Sequence, residues 1–238
     1  MQRFLLETDI LGQGEIILKD EEIIYQLIKV LRAKPTDQVI FFDGQTFCDY
    51  IYEIKSIDKK NIIFSFLSKQ EKKEEFKWLS LYQSLPNKID KIEDIIQKWT
   101  EIWYSHFYFF RSERSQDIYI SENKILRFKK IIQEASEQSW RNIIPQLHFL
   151  DNWDILNVKW QNIFFHTDTV WSQKLSDILF DFSSEINIFV GPEWGFSPKE
   201  NDIFLQNNFM KVYLGNNILR TQTTWIVVWF HILQNNTK

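Results

Sequence analysis

Residues 186–196 read INIFVGPEWGF, and this stretch decides the fold class of the chain. The run 186–190 is short and apolar, which is typical of a strand buried on both faces of a parallel sheet. Gly191 and Gly195 follow it, and glycine lets a backbone come close to a ligand. The stretch therefore predicts a buried strand that ends either in an ordinary turn or at a ligand site.

A second loop of this kind occupies residues 214–224, which read LGNNILRTQTT. It leads from a strand predicted at 210–214 into a helix predicted to begin near Thr221. The first N–H groups of a helix lack partners within it, and parallel sheets bind ligands at the carboxyl ends of their strands. If the two loops lie side by side, they can hold a planar, polar cofactor through main-chain hydrogen bonds.

Strands and helices alternate around these loops, which is typical of an α/β domain with a parallel sheet. Apolar runs and helical spacing predict further strands at 79–82, 106–110 and 162–166, and helices at 91–102 and 125–139.

The N-terminal part is predicted to be rich in short strands. The turn signal Asp43-Gly44 separates apolar arms at 39–42 and 47–54, and a further apolar run follows at 61–67. The spacing of apolar residues predicts one helix over 21–31.

The run 69–75 carries charge without apolar anchors and is interpreted as a solvated linker. We therefore predict a small β-rich domain over residues 1–70 and an α/β domain over residues 76–238. A chain of 238 residues is long enough for two modest domains.

The composition is that of an ordinary globular protein, with 44% hydrophobic and 25% charged residues. A net charge of -4 argues against indiscriminate nucleic-acid binding, although a local basic face can serve one structured RNA. We predict no membrane span and no secretory signal. The single cysteine, Cys48, excludes an internal disulfide and fits a reducing cytoplasm.

We predict no metal site, because the four histidines and Cys48 show no ligand spacing. A hydrolase or a small-molecule-binding α/β protein has no support either, since the chain contains no nucleophile elbow and no Walker phosphate loop.

The two glycine loops and several shorter motifs resemble the 16S ribosomal RNA uracil-N3 methyltransferases, the family called ribosomal RNA small subunit methyltransferase E. Each motif alone is weak, whereas the ordered set is specific and spans nearly the whole chain. The other motifs are Arg3-Phe4, Lys29-Val30-Leu31-Arg32, Phe42-Asp43-Gly44, residues 95–103, Ser112-Glu113-Arg114 and residues 137–142.

The resemblance implies a C-terminal α/β domain of the SPOUT type with a trefoil knot, preceded by a small PUA-like β-barrel that binds RNA. Knots are otherwise close to absent in proteins, so only the family likeness supports one here. It also implies a cytoplasmic homodimer that uses S-adenosyl-L-methionine to methylate N3 of a uridine in 16S ribosomal RNA of the small subunit.

Methylation of uridine N3 requires loss of the N3 proton, alignment with the methyl carbon, and a donor for the charge that develops on the base oxygens. We predict Arg220 for the last role, because guanidinium donates in a fixed fork. Glu193 is the second catalytic candidate, with positioning of the loop favoured over proton transfer. The predicted cofactor-binding residues are His166, Thr167, Gly191, Pro192, Gly195, Leu214, Gly215, Ile218 and Leu219.

Four arginines, Arg32, Arg111, Arg114 and Arg141, are candidates for contact with RNA phosphates. Each alone is typical of a solvated charge, but together they can form an electropositive track. The target base is expected to be unpaired or flipped out, because N3 is hidden in a Watson–Crick pair.

Tryptophan stands at several positions where the family tends to have glycine, above all Trp194, and also Trp99, Trp103 and Trp140. Three interpretations compete: a filled and inactive site, a variant pocket, or UGA codons that the cell reads as glycine. Composition favours the third. The chain has 6 Gly and 10 Trp, together 16, close to the roughly 17 glycines that average usage of about 7% gives.

A second departure is Gln222, where the family usually has glutamate. Glutamine cannot take a proton at neutral pH, so this position cannot supply a general base. Asn217 and Gln26 also replace an arginine and a histidine that are common in the family. Two alternative functions therefore stay open: a non-catalytic RNA-binding or ribosome-assembly factor on the same fold, and a SPOUT methyltransferase that acts on transfer RNA.

Overall fold

The structure is a computed structural model and describes residues 1–6, 9–72, 79–102, 104–150 and 158–236. Its contacts divide the chain into two compact units. The first unit consists of residues 1–75 and 133–144, and the second of residues 76–132 and 145–238. Trp103, residues 73–75 of the charged run and the side chain of Gln222 lie outside the described residues.

The first unit is built on a five-stranded sheet. The strands are β1 (Gln2–Leu5), β2 (Glu15–Leu18), β3 (Gln38–Phe42), β4 (Cys48–Ile57) and β5 (Ile62–Glu71). Their order is β1-β3-β4-β5-β2, with β1 and β3 parallel and the other pairs antiparallel. The turn predicted at Asp43-Gly44 lies between β3 and β4, and Gly44 has a φ of 76°, a left-handed value that favours glycine.

This sheet is open, because β1 lies at one edge and β2 at the other. The closed barrel implied by the family likeness is therefore not seen in the described part of the unit. The sequence predicts one regular helix over residues 21–31. The structure has instead a short helix, α1 (Glu21–Tyr25), followed by a π-helical turn over Gln26–Val30. Ile24 and Leu27 pack in one core with Phe41, so the helix covers apolar sheet surface that a closed barrel would enclose.

A buried polar cluster lies within the first unit. Arg3 Nε donates to Asp49 Oδ1 at 3.1 Å, and the side-chain amide of Asn142 donates to the same oxygen at 2.8 Å. Arg3 Nη1 also donates to the carbonyl of Ser136 at 2.9 Å. These contacts place residues 133–144 in the first unit, whereas the sequence pattern assigns them to the second domain. Helical periodicity identifies a buried face but not the surface that buries it.

In its described residues, the second unit has a seven-stranded sheet and four α-helices. The strands are β6 (Leu79–Ser84), β7 (His106–Phe110), β8 (Gln146–Leu150), β9 (Gln161–Phe165), β10 (Gln173–Lys174), β11 (Ile186–Val190) and β12 (Met210–Tyr213). The helices are α2 (Ile89–Glu101), α3 (Glu122–Gln138), whose C-terminal end belongs to the first unit, α4 (Pro198–Gln206) and α5 (Thr221–Asn236).

The strand order of this sheet is β10-β12-β9-β11-β6-β7-β8, and every pair is parallel. The predicted parallel α/β sheet is thus confirmed. All five residues of β11 are buried between β9 and β6, which explains the unbroken apolar run at 186–190. Within the described ranges, no helix has both the length and the apolar character needed to cross a membrane.

Candidate functional site

Three neighbouring strands of the second unit end at one edge of the sheet. β11 pairs in parallel with β9, and β9 pairs in parallel with β12. The segments that follow these strands are 166–167, 191–196 and 214–220. Because parallel strands bring their carboxyl ends to the same edge, the three segments lie together.

These segments line a cavity of about 450 Å³. The structure brings together there all eleven residues predicted to be catalytic or to bind a cofactor: His166, Thr167, Gly191, Pro192, Glu193, Gly195, Leu214, Gly215, Ile218, Leu219 and Arg220. Further lining residues that the sequence analysis missed are Lys91, Phe165, Val190, Asn216, Asn217, Thr221 and Thr224.

The loop after β11 leaves little space for a side chain at its first position. A Cβ atom on Gly191 would lie 3.1 Å from the nitrogen of Phe196 and 3.2 Å from the carbonyl carbon of Gly195. Gly195 has a φ of 67°, and its N–H donates to the carbonyl of Pro192 at 2.9 Å, which closes a turn. Since neither glycine has a side chain, this wall of the cavity consists of main chain.

The carbonyl of Gly191 accepts hydrogen bonds from side chains of two other elements, β6 and α5. Gln83 Nε2, at the end of β6, donates to it at 3.1 Å, and Thr221 Oγ1, at the start of α5, donates at 3.4 Å. The second bond links the two glycine loops directly. Gln83 is fully buried, and nothing in the sequence pattern pointed to it.

The loop after β12 ends where α5 begins. Gly215 has a φ of 131°, and the carbonyl of Arg220 accepts the N–H groups of Thr223 at 2.8 Å and Thr224 at 3.0 Å. The Ile218 side chain is 82% exposed at the cavity. An apolar side chain in that position can cover a ligand and gain burial when it does so.

His166 is neutral and has one defined tautomer. Its Nδ1 accepts the N–H of Asp168 at 2.9 Å, so Nε2 carries the ring proton. Partial burial, together with the positive charge of Lys211, lowers the pKa of His166. The imidazole therefore offers a donor at Nε2 near pH 7 rather than a base.

Glu193 is held in an ion pair. Its Oε1 accepts a hydrogen bond from Lys91 Nζ at 2.7 Å and another from the N–H of Asn87 at 3.2 Å. Partial burial by itself would raise the pKa of Glu193, but Lys91 and the main-chain N–H groups of Glu193 itself and of Asn87 outweigh it and lower that pKa. The carboxylate is consequently ionised and weakly basic, which suits the positioning of the loop and not proton transfer.

Arg220 is exposed at the cavity, and among the described residues no carboxylate pairs with its guanidinium.

Trp194 does not line the cavity, and the residue is 80% exposed. The indole therefore does not fill the site, so the first interpretation of this residue has no structural support.

Arg141 does not reach the surface. Its residue is 2% exposed, its Nε donates to the carbonyl of Ile143 at 2.7 Å, and burial lowers its pKa to about 9. Contact with an RNA phosphate was predicted for this residue from its sequence alone. The structure instead buries the guanidinium, where it cannot meet a phosphate in this conformation.

The other three predicted RNA contacts differ in their surroundings. Arg32 is exposed, with a left-handed φ of 53°. Arg111 forms an ion pair with Asp117. Arg114 Nη1 donates to the carbonyl of Trp194 at 2.8 Å, so this arginine also supports the loop after β11.

The chemistry available at the cavity is that of hydrogen-bond donors around a polar ligand. Main chain at three strand ends, the Arg220 guanidinium and the His166 Nε2–H can all meet oxygen acceptors. In the part of the chain that the structure describes, no group of three or more His, Cys, Asp or Glu residues could hold a metal ion.

Residues 72–233 match the RNA methyltransferase domain family. The chain is also 30% identical over 234 residues to ribosomal RNA small subunit methyltransferase E 2 of Borreliella burgdorferi, with 95% of this chain and 94% of that relative covered. The chain belongs to the ribosomal RNA small subunit methyltransferase E family. The resemblance seen in the sequence motifs is thereby confirmed.

Two further comparisons cover almost the whole chain. A member of this family from Buchnera aphidicola is 31% identical over 237 residues, with 94% of this chain and 90% of that relative covered. The crystal structure of a member from Neisseria gonorrhoeae bound to S-adenosyl methionine is 24% identical, has a TM-score of 0.84, and covers 100% of this chain and 98% of that one. This second likeness shows that the fold is shared.

Proposed function

We propose that this chain uses S-adenosyl-L-methionine to methylate N3 of one uridine in the 16S ribosomal RNA of the small subunit. The observation that carries the proposal is the cavity at the ends of β9, β11 and β12, lined largely by main chain, in a member of this family. Full-length relatives are named as small-subunit ribosomal RNA methyltransferases, and one protein of the same fold is bound to this cofactor.

The residues at the cavity fit such a cofactor. Gly191 and Gly195 have no side chains, so a ligand can lie against the main chain of the loop. The start of α5 adds N–H groups that lack partners within the helix, which suit the cofactor's polar groups. Val190, Ile218 and Leu219 offer apolar contact to a planar ring. When bound, this cofactor supplies an electrophilic methyl group on a positively charged sulfur.

Arg220 is proposed to donate to a base oxygen as negative charge develops during transfer. His166 Nε2–H is a second donor at the end of the neighbouring strand β9, and Glu193 with Lys91 fixes the glycine loop. None of the described titratable side chains lining the cavity is a free base. The N3 proton is therefore proposed to leave to solvent, a step that becomes easier as the pH rises.

The family likeness supports several finer proposals. These are a PUA-like, RNA-binding role for the first unit, a trefoil knot in the second, a cytoplasmic location and a homodimer. Ile226, Val227 and Phe230 on α5 are exposed apolar residues, and a second copy of the chain would give them a partner surface. For the RNA contact we retain Arg32, Arg111 and Arg114.

The alternative of a non-catalytic assembly factor is favoured by one observation, namely that the described cavity lining lacks a free general base.

A methyl-transfer assay distinguishes the proposed function from the two alternatives. Cofactor with a labelled methyl group is incubated with 16S ribosomal RNA, small subunits and transfer RNA, and the nucleosides are analysed. We expect label in N3-methyluridine from the ribosomal substrates. Label in transfer RNA would support a methyltransferase that acts on transfer RNA. RNA binding without any label would support a non-catalytic assembly factor.

Replacing Gly191 with alanine is expected to weaken cofactor binding by about tenfold, because a Cβ would crowd the main chain at Gly195 and Phe196 and shift the loop by a few tenths of an ångström. Calorimetric titration with S-adenosyl-L-methionine measures the effect. Gly14→Ala is the matched control, since no atom lies within 4 Å of its added Cβ. Equal affinity of the two variants would remove the glycine loop from the cofactor site.

Cofactor affinity is expected to hold through the ordinary histidine pKa of about 6.5 and to fall only at more acid pH. The pKa of His166 is lowered, so its ring is neutral at pH 7 and gains a positive charge only in acid. That charge would repel the cofactor's sulfonium. Titrations between pH 8 and pH 5 should show the fall in the wild type and in His231→Asn, but not in His166→Asn. The same profile in all three proteins would contradict this role.

A further inference from the structure

The structure describes seven of the ten tryptophans. Three of them have a left-handed backbone, three have a buried indole N–H without a partner, and one is 80% exposed: Trp140, Trp160 and Trp171, then Trp99, Trp225 and Trp229, then Trp194. We propose that the tryptophan positions of this chain hold glycine in the protein made by its own cell, which reads their UGA codons as glycine. Backbone conformation, exposure and unsatisfied N–H groups each support this independently of the composition.

Three tryptophans have left-handed backbone conformations. The φ angles are 62° at Trp140, 78° at Trp160 and 57° at Trp171. Among the described residues these make up half of the six non-glycine residues with positive φ. Only a few per cent of non-glycine residues adopt such angles, and bulky ones rarely do. Glycine adopts them without a steric cost.

Trp140 occupies a position that is characteristic of glycine. It follows the last turn of α3, and the N–H of Arg141 donates to the carbonyl of Ser136 at 3.1 Å, a six-to-one bond across the helix end. This is the Schellman arrangement, in which the residue after the C-cap is left-handed and is usually glycine.

Trp171 is the third residue of a tight turn. The N–H of Ser172 donates to the carbonyl of Thr169 at 3.2 Å, and the positive φ falls on Trp171. Turns with a positive φ at the third position favour glycine there. The Trp171 side chain is 90% exposed, so its ring contributes almost no burial to offset the backbone strain.

Among the described residues, three indole N–H groups lack a hydrogen-bond partner. The indole N–H groups of Trp99, Trp225 and Trp229 are buried, and no acceptor lies within hydrogen-bond distance in the described structure. Buried tryptophans ordinarily find such an acceptor. Trp99 and Trp225 are 5.9 Å apart, centre to centre, so glycine at both positions would let α2 and α5 approach each other closely.

The test is peptide mass spectrometry of the protein purified from its own cells. We expect glycine at all ten positions, which makes the chain lighter by the mass of ten indole side chains. Sequencing the gene should show UGA at each position. Tryptophan in the peptides containing positions 140, 160 and 171, or UGG in the gene, would overturn the proposal.

A stability comparison provides an independent test on the recombinant chain. Trp140→Gly, Trp160→Gly and Trp171→Gly are each expected to raise the melting temperature, because each removes a bulky side chain from a residue whose backbone has a left-handed conformation. Tyr119→Gly is the matched control, an 82% exposed aromatic residue without a positive φ, and should not raise it. A lower melting temperature in all three tryptophan variants would overturn the proposal.

A different observation concerns the first unit, where a cavity of about 730 Å³ is surrounded by basic residues. Its lining includes Lys19, before α1, Lys29, in the π-helical turn, and Lys59 and Lys60, in the turn between β4 and β5. None of these four lysines forms an ion pair within the described chain, and Glu21 is the acidic residue of the lining. In a chain with net charge -4, this is a local concentration of positive charge.

We infer that this lysine cavity binds the sugar-phosphate backbone of the substrate RNA, an inference that rests on the proposed function. Unpaired lysines attract phosphates and release counterions when they bind them. Tyr25, which also lines the cavity, is 61% exposed and offers a ring on which an unpaired base can stack. Charge complementarity and the aromatic ring together favour RNA over a protein partner.

Binding to 16S ribosomal RNA at several salt concentrations tests the inference. The triple variant Lys29→Glu, Lys59→Glu and Lys60→Glu should bind about tenfold more weakly or worse, with a shallower salt dependence. The control triple Lys129→Glu, Lys159→Glu and Lys174→Glu makes the same charge change on exposed residues of the second unit. Equal effects of both triples, or none, would overturn this inference.

The same proteins separate this inference from the proposed function. The lysine triple should bind S-adenosyl-L-methionine as the wild type does, and saturating RNA should restore its methyl transfer. If the wild type transfers methyl groups and the lysine triple binds RNA normally, only the lysine surface is wrong. If the wild type transfers none, the proposed function fails and this inference fails with it.

Discussion

Arg220→Ala is expected to lower the rate constant for methyl transfer by about 100- to 1000-fold, the usual cost of losing one donor to a developing oxyanion. The guanidinium is exposed at the cavity, and among the described residues no acid neutralises it. Its donors are therefore available to the substrate. Single-turnover assays with saturating cofactor and RNA measure the change.

Two further variants make this expectation specific. Arg220→Lys keeps the charge but loses the planar fork, so a partial loss is expected. Arg127→Ala removes an exposed arginine that pairs with Glu93 in the same unit, and it should leave the rate unchanged. If Arg220→Ala weakened cofactor binding and left the single-turnover rate intact, the residue would be a binding residue.

The second large effect concerns stability. Asp49→Ala is expected to lower the free energy of unfolding by about 3–5 kcal/mol, the range found when one partner of a buried ion pair is removed. Arg3 and Asp49 are 2% and 1% exposed at their side chains, and Asn142 donates to the same carboxylate. Without Asp49, the buried guanidinium of Arg3 loses its charge partner and, among the described residues, keeps only the Ser136 carbonyl, and the buried amide of Asn142 keeps only the Cys48 carbonyl.

Urea denaturation at neutral pH measures this effect. Glu15→Ala is the matched control, because Glu15 pairs with Lys55 on the surface of the same unit and should contribute less than about 1 kcal/mol. A change in Asp49→Ala as small as that of the control would mean that water replaces the carboxylate at Arg3.

The candidate site could be predicted largely because its parts are local in sequence. The strand at 186–190 and the two glycine loops are continuous segments, and a parallel sheet brings its strand ends to one edge. All eleven predicted residues accordingly line one cavity. Gln83 and Lys91 were missed, because they reach the glycine loop from elements about 100 residues away.

Helix α4 was missed although its sequence carries the signal. Ser197 accepts the N–H of Glu200, the Glu200 carboxylate accepts the N–H of Ser197, and Pro198 occupies the first turn. This is the capping box, which can be recognised from three residues. The burial of Arg141 could not be predicted in this way, because arginine serves both at exposed phosphate sites and in buried hydrogen bonds to main chain.

The sequence by itself determined the alternation of strands and helices, the glycine loops and the family, because apolar periodicity, turn residues and ordered motifs are properties of neighbouring residues. Only the tertiary structure decided that residues 133–144 join the first unit, that its sheet is open, and that Arg141 is buried. These features depend on which surfaces, distant in sequence, bury apolar area against each other, and local sequence patterns do not specify that pairing.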